Sequence, residues 1–216
     1  MRLWSIAANT FVETIRQPIY GVMMVVTTLL MVLNIFLAGF TLDDDNKLLM
    51  DLGLSTMLLC GLFLAAFSAT GILTREIENK TVLTIISKPI GRPAFLTGKY
   101  LGLFGAQLVA FYIWFLVFVL CMHHRVLQSS ADDFDWPAII LGAGSGILAL
   151  FIAAAANYFY GKEFSSTAIA FVVPMLTVGT ILTSLFDREW GREEFAKAFI
   201  GGQFLTAALL IMLAIM

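Results

Sequence analysis

Six stretches of about twenty residues, at 19–40, 52–73, 100–122, 138–160, 166–186 and 198–216, contain no Asp, Glu, Lys or Arg. A helix of about 20 apolar residues crosses the roughly 30 Å hydrocarbon layer of a bilayer. Inside that layer a chain must satisfy its own backbone hydrogen bonds. The fold class expected is therefore an all-α polytopic membrane protein with about six transmembrane helices. Composition agrees: charged residues make up 13% of the chain, against about 25% in soluble domains. The net charge of −2 offers no basic surface for nucleic acid. Cys60 and Cys121 lie in or beside apolar stretches and do not make a disulfide framework.

Residues 1–17 carry Arg2, Glu13 and Arg16 where a cleavable signal needs an unbroken apolar run. Leu3, Ile6, Phe11 and Ile15 recur at broadly helical spacing. This predicts an N-terminal amphipathic helix along the membrane surface, leading into the first span at Pro18. The last stretch is still apolar at Met216, so the chain is expected to continue beyond it.

Orientation follows from the basic residues, because loops rich in Lys and Arg stay cytoplasmic. With the N-terminus inside, Arg2, Arg16, Arg75, Lys80, Lys88, Arg92, Lys99 and Lys162 are cytoplasmic. Lys47, Arg125, Arg188, Arg192 and Lys197 are external, so the balance favours this orientation. The loop 187–197 dissents, with three bases outside. The aspartates at 43–45 and at 132, 133 and 135 fall outside, as solvated loop charge.

Between the second and third spans lies the longest charged segment, 74–100. Glu76 and Glu78 suit a helix N-terminus, and Glu76 to Lys80 has the favourable i,i+4 order. Val82, Ile85 and Ile86 share a helical side, and Pro89, Gly91 and Pro93 punctuate its end. A short helix is expected here, held beneath the membrane by two spans. Charged loops with such a helix are common, and physics alone does not assign it a partner.

The residues Arg75-Glu76-x-Glu78-x-x-Thr81, Ser87-Lys88-Pro89-x-x-Arg92 and Phe95-Leu96-x-Gly98-Lys99-Tyr100 closely resemble the segment after the second span of ABC-2 type transporter permeases. The order of elements extends the resemblance over most of the chain, with the loop its specific part. Among such permeases it looks most similar to the nitrous-oxide-reductase maturation type (NosY-like). The resemblance implies one transmembrane domain over 1–216, with a cytoplasmic coupling segment at 74–92. It implies a separate ABC ATPase subunit as partner, a second permease copy or paralogue, and residence in the inner or plasma membrane. It also implies export and a transport role without enzymatic activity in this chain. Carried over by position, Arg75, Glu76, Glu78, Thr81, Lys88, Pro89 and Arg92 belong to the ATPase-docking surface and its exit into the third span. Lipid, glycan, drug, peptide and ion all remain open as cargo.

Other features carry less. Gly91 to Lys99 superficially resembles a phosphate-binding loop, but six residues separate its glycines and Tyr100 follows the Lys. This chain is not expected to bind ATP, and no cofactor is implied. Cys121, His123 and His124 include soft donors suited to copper or zinc. Adjacent helical residues point about 100° apart, so interfacial polar residues are the preferred reading and no metal is assigned. Thr177, Thr180 and Ser184 share a face and are candidate pathway-lining residues, although bonding to backbone near Pro174 is the simpler role. Asn34, Gln107, Asn157 and Gln203 are expected to face protein. Gly142, Gly144, Gly146 and the alanines at 153–156 suit close helix packing. The absence of ionisable residues deep in the spans disfavours a proton-relay carrier. An ATP-independent carrier or channel, or a membrane scaffold, is the alternative.

Overall fold

A computed structural model of the chain describes residues 2–39, 45–78, 91–124 and 136–186. Among these, every regular element is helical: α1 (Arg2–Ile15), α2 (Pro18–Ala38), α3 (Asp45–Glu78), α4 (Arg92–His124), a π-helical segment (Ala138–Ala143) running into α5 (Gly144–Tyr160), and α6 (Phe164–Phe186). Five helices are long and apolar enough to cross a membrane: Pro18–Ala38, Lys47–Ile72, Pro93–His124, Ala138–Tyr160 and Phe164–Leu185. These correspond to the first five expected spans. The sixth, at 198–216, lies outside the described residues.

Because lipid competes as well as Leu for apolar contact, membrane helices associate through close packing of small residues and through interhelical hydrogen bonds. Both are visible. Asn34 of α2 donates to Thr56 Oγ1 of α3 at 3.0 Å. Gln107 of α4 donates to the Gly61 carbonyl of α3 at 3.2 Å, and the Tyr20 hydroxyl of α2 donates to the Ala106 carbonyl of α4 at 2.9 Å. Around these bonds Met31, Met57, Leu64, Ala110, Trp114 and Phe118 form the buried core of α2, α3 and α4. Asn157 departs from expectation. It is exposed, and its amide donates to the Lys162 carbonyl at 2.6 Å, closing the turn after α5. Gly161 there has φ +61°, the left-handed conformation that glycine adopts without a Cβ penalty. Gln203 lies outside the described residues.

The glycine run of the fourth span also divides. Gly142 faces Leu120 of α4 and Gly146 faces Leu176 of α6, whereas no atom stands within 4 Å of a Cβ built on Gly144. A tight approach to α6 falls elsewhere, at Gly179, whose Cβ would stand 2.5 Å from the Leu141 carbonyl oxygen. That carbonyl belongs to the π-helical segment. Gly179 was not singled out in the sequence, because a lone glycine in an apolar run carries no spacing signal.

Two expectations are refined. First, α1 is amphipathic, and Ile6, Phe11 and Ile15 of its apolar face have a protein neighbour. They turn towards α4, which meets α1 along Gly98, Gly102 and Gly105. A Cβ on Gly102 would come within 2.6 Å of both the Ala7 carbonyl oxygen and Thr10 Cβ. An amphipathic pattern states which face is apolar and not whether lipid or protein covers it. Second, Glu76 and Glu78 do not begin a helix. They lie in the last turn of α3, which continues without a break from the second span. Pro93 opens α4, at the second residue of that helix.

Candidate functional site

The site singled out by sequence is the stretch at which α3 leaves the membrane and α4 returns to it. α3 has 34 residues and α4 has 33, about 50 Å each at 1.5 Å per residue. Both exceed the roughly 30 Å hydrocarbon thickness. Arg75 is half-buried in the last turn of α3, and Glu78 is exposed at its end. Glu76 occupies the same turn, and Arg92 is the first residue of α4. Thr81, Lys88 and Pro89 lie outside the described residues.

The start of α4 is gripped by α1. Gly98 meets the Ile6 side chain and the Leu3 carbonyl, Gly102 meets Ala7 and Thr10, and Gly105 meets the Phe11 ring. The Glu13 carboxylate acts electrostatically on Lys99, whose ammonium also lies 5.2 Å from the Phe95 ring centre. The resemblance of Gly98-Lys99 to a phosphate-binding loop is thereby explained: Gly98 serves helix packing. At the far end of α1, Arg16 forms an ion pair with Glu163, in the turn between α5 and α6. α1, the start of α4 and the α5–α6 turn thus occupy one end of the molecule, as assigning Arg16, Lys99 and Lys162 to one side requires.

The candidate pathway residues lie farther along α6, and the structure separates them. Thr177 is half-buried and pairs with the Tyr112 hydroxyl of α4 at 2.9 Å. Its own proton goes to the Val173 carbonyl at 2.6 Å, so Tyr112 is the donor of that pair. Thr180 is buried and donates to the Leu176 carbonyl at 2.8 Å. Ser184 donates to the Ile181 carbonyl at 2.7 Å. All three hydroxyls are therefore engaged with backbone near or beyond Pro174, and α6 runs through that proline as one helix. Tyr112 was missed because one Tyr in an aromatic-rich span has no distinguishing pattern.

At the other end of α4, Cys121 and His123 are buried and His124 is half-buried. Among the described residues no three His, Cys, Asp or Glu side chains gather as a metal site requires.

The family profile described as ABC-2 type transporter matches residues 1–191, nearly the whole chain. The chain belongs to the ABC-2 type transporter family. It is thus the membrane-spanning, permease part of an ABC transporter and a multi-pass membrane protein whose family works with an ABC ATPase. The match is to the family as a whole and assigns no subtype. Comparison with curated proteins and with solved structures gave no match.

Proposed function

We propose that this permease docks a separate ATPase subunit through segment 74–92 and moves cargo outward as that ATPase closes and reopens. Arg75, Glu76, Glu78, Thr81, Lys88, Pro89 and Arg92 are assigned to the docking surface, and ATP is hydrolysed on the partner. A second permease copy or paralogue completes the membrane part. The N-terminus is cytoplasmic, and the membrane is the inner or plasma membrane. Thr177, with Tyr112 beside it, and Ser184 are proposed to border the pathway. Thr180 is proposed to support their helix from within.

The observation that supports this reading is that α3 and α4, which flank the docking segment, are each one helix longer than the apolar layer is thick. Force applied between two such helices is transmitted along stiff rods. A flexible tether would absorb it.

The test is co-purification of the tagged chain from mildly solubilised native membranes, beside a Glu76→Lys/Glu78→Lys variant. A phosphate-binding-loop ATPase should accompany the wild type and be lost from the variant while the variant remains inserted. An equal amount of ATPase with both chains would remove segment 74–92 from the docking surface.

A further inference from the structure

Gln17 stands in the two-residue elbow between α1 and α2. Its backbone is fully used: its N–H donates to the Thr14 carbonyl at 3.1 Å, and its carbonyl accepts from the Tyr20 N–H at 3.0 Å. Its side chain is another matter. It is 2% exposed, yet neither the amide oxygen nor the amide nitrogen has a hydrogen-bond partner. The amide lies against Gly71 of α3, where a Cβ would stand 3.1 Å from Oε1 and 3.3 Å from Nε2. One turn earlier on α3, Ser68 is 1% exposed, and its hydroxyl is also without a partner.

Buried polar groups in native proteins are almost always paired, and an orphan calls for a physical explanation. Two orphans of complementary chemistry, set one turn apart along α3, supply one. An amide that can donate and accept lies one turn away from a hydroxyl that can do both. Between them Gly71 presents bare backbone, over which the amide can pass. The three residues from Ser68 to Gly71 span about 4.5 Å of helix axis, similar to the one-turn shifts by which packed helices switch register. Gly71 also lies one turn from Arg75, beside the buried Ile72, at the end of α3 that leads into the docking segment.

We propose that Gln17 is a two-position catch for α3: it rests unbonded on Gly71 in this conformation, and it hydrogen-bonds Ser68 after α3 shifts towards the cytoplasm by about one turn. The catch rests on the reading of 74–92 as the ATPase-docking segment. The bond made in only one state biases the equilibrium towards that state.

The test uses the full chain with its co-purified ATPase in lipid nanodiscs, in a Cys60→Ala/Cys121→Ala background. Paired cysteines are placed at 17 and 71, or at 17 and 68, and oxidised with and without ATP plus vanadate. The 17–71 pair should cross-link without nucleotide, and the 17–68 yield should rise severalfold in the vanadate-trapped complex. Separately, Gln17→Leu and Ser68→Ala should each slow ATP turnover of the complex about fivefold, the factor one hydrogen bond confers on an equilibrium, without lowering thermal stability. A 17–68 yield that ignores nucleotide, with both substitutions lowering the melting temperature, would identify a static, water-filled joint and overturn the catch. Failure of the ATPase to co-purify would instead strike the docking reading, so the two failures are distinguishable.

Discussion

At the scale of single residues, the fold depends on glycines whose missing Cβ lets backbones touch. The α1–α4 seam grades this dependence. At Gly102 the obstructing atoms are the Ala7 carbonyl and Thr10 Cβ, neither of which can swing aside. At Gly105 the nearest atom is an edge carbon of the Phe11 ring, 3.3 Å from an added Cβ, and a ring can yield. Gly102→Leu should therefore destabilise the chain by about 1–3 kcal/mol, the usual cost of overpacking. Gly105→Ala should cost clearly less. Thermal unfolding in nanodiscs would rank them, and equal costs would contradict the seam. Tyr20 gives a second check: Tyr20→Phe removes the bond to the Ala106 carbonyl and should cost about 1 kcal/mol in the same assay.

At the scale of elements, Glu76 and Glu78 continue the helix of the second span into charged sequence. Glu78 is exposed there, as a residue held for an intermolecular purpose must be. Glu78→Gln should weaken ATPase retention and leave hydrogen exchange along α3 unchanged. If protection and retention change in the same direction, Glu78 serves the helix and not the partner. The elements themselves were readable from sequence to within a turn or two wherever charge-free stretches set the limits. The ends of α3 and α4 were not, since both helices continue into charged sequence where hydropathy falls silent. The destination of α1 was equally hidden. Its periodicity defined a face, but the seat for that face is a glycine series about ninety residues away, and neither segment alone reveals the other.

At the scale of the whole molecule, the Arg16–Glu163 pair joins the N-terminal helix to the α5–α6 turn. Both side chains are about half exposed, so solvent screens the pair and its worth is about 0–1 kcal/mol. Arg16→Glu should lower the melting temperature slightly, Glu163→Arg in that background should restore it, and the difference should fade in high salt. Sidedness has its own test. Single cysteines at Lys162 and Lys47, in a Cys60→Ala/Cys121→Ala background, should label from opposite faces of sealed vesicles, Lys162 from the cytoplasmic one. Labelling of both from one face would refute the alternation of the described spans. Of the candidate site, the segment 74–92 stood out in the sequence through its charges and prolines. The seat of Gln17 on Gly71 was not, because it joins residues about fifty positions apart that are individually unremarkable.

The seam between α1 and α4 also dictates an order of assembly. At about 5–20 residues per second, roughly 5–20 s separate the synthesis of Thr10 from that of Gly102. Throughout that interval Ile6, Phe11 and Ile15 have no protein surface to cover them. The bilayer interface beside the emerging first span is the nearest apolar refuge. The amphipathic pattern of the first seventeen residues thus fits two successive hosts, lipid while the chain is being made and the glycine track of α4 once it is complete.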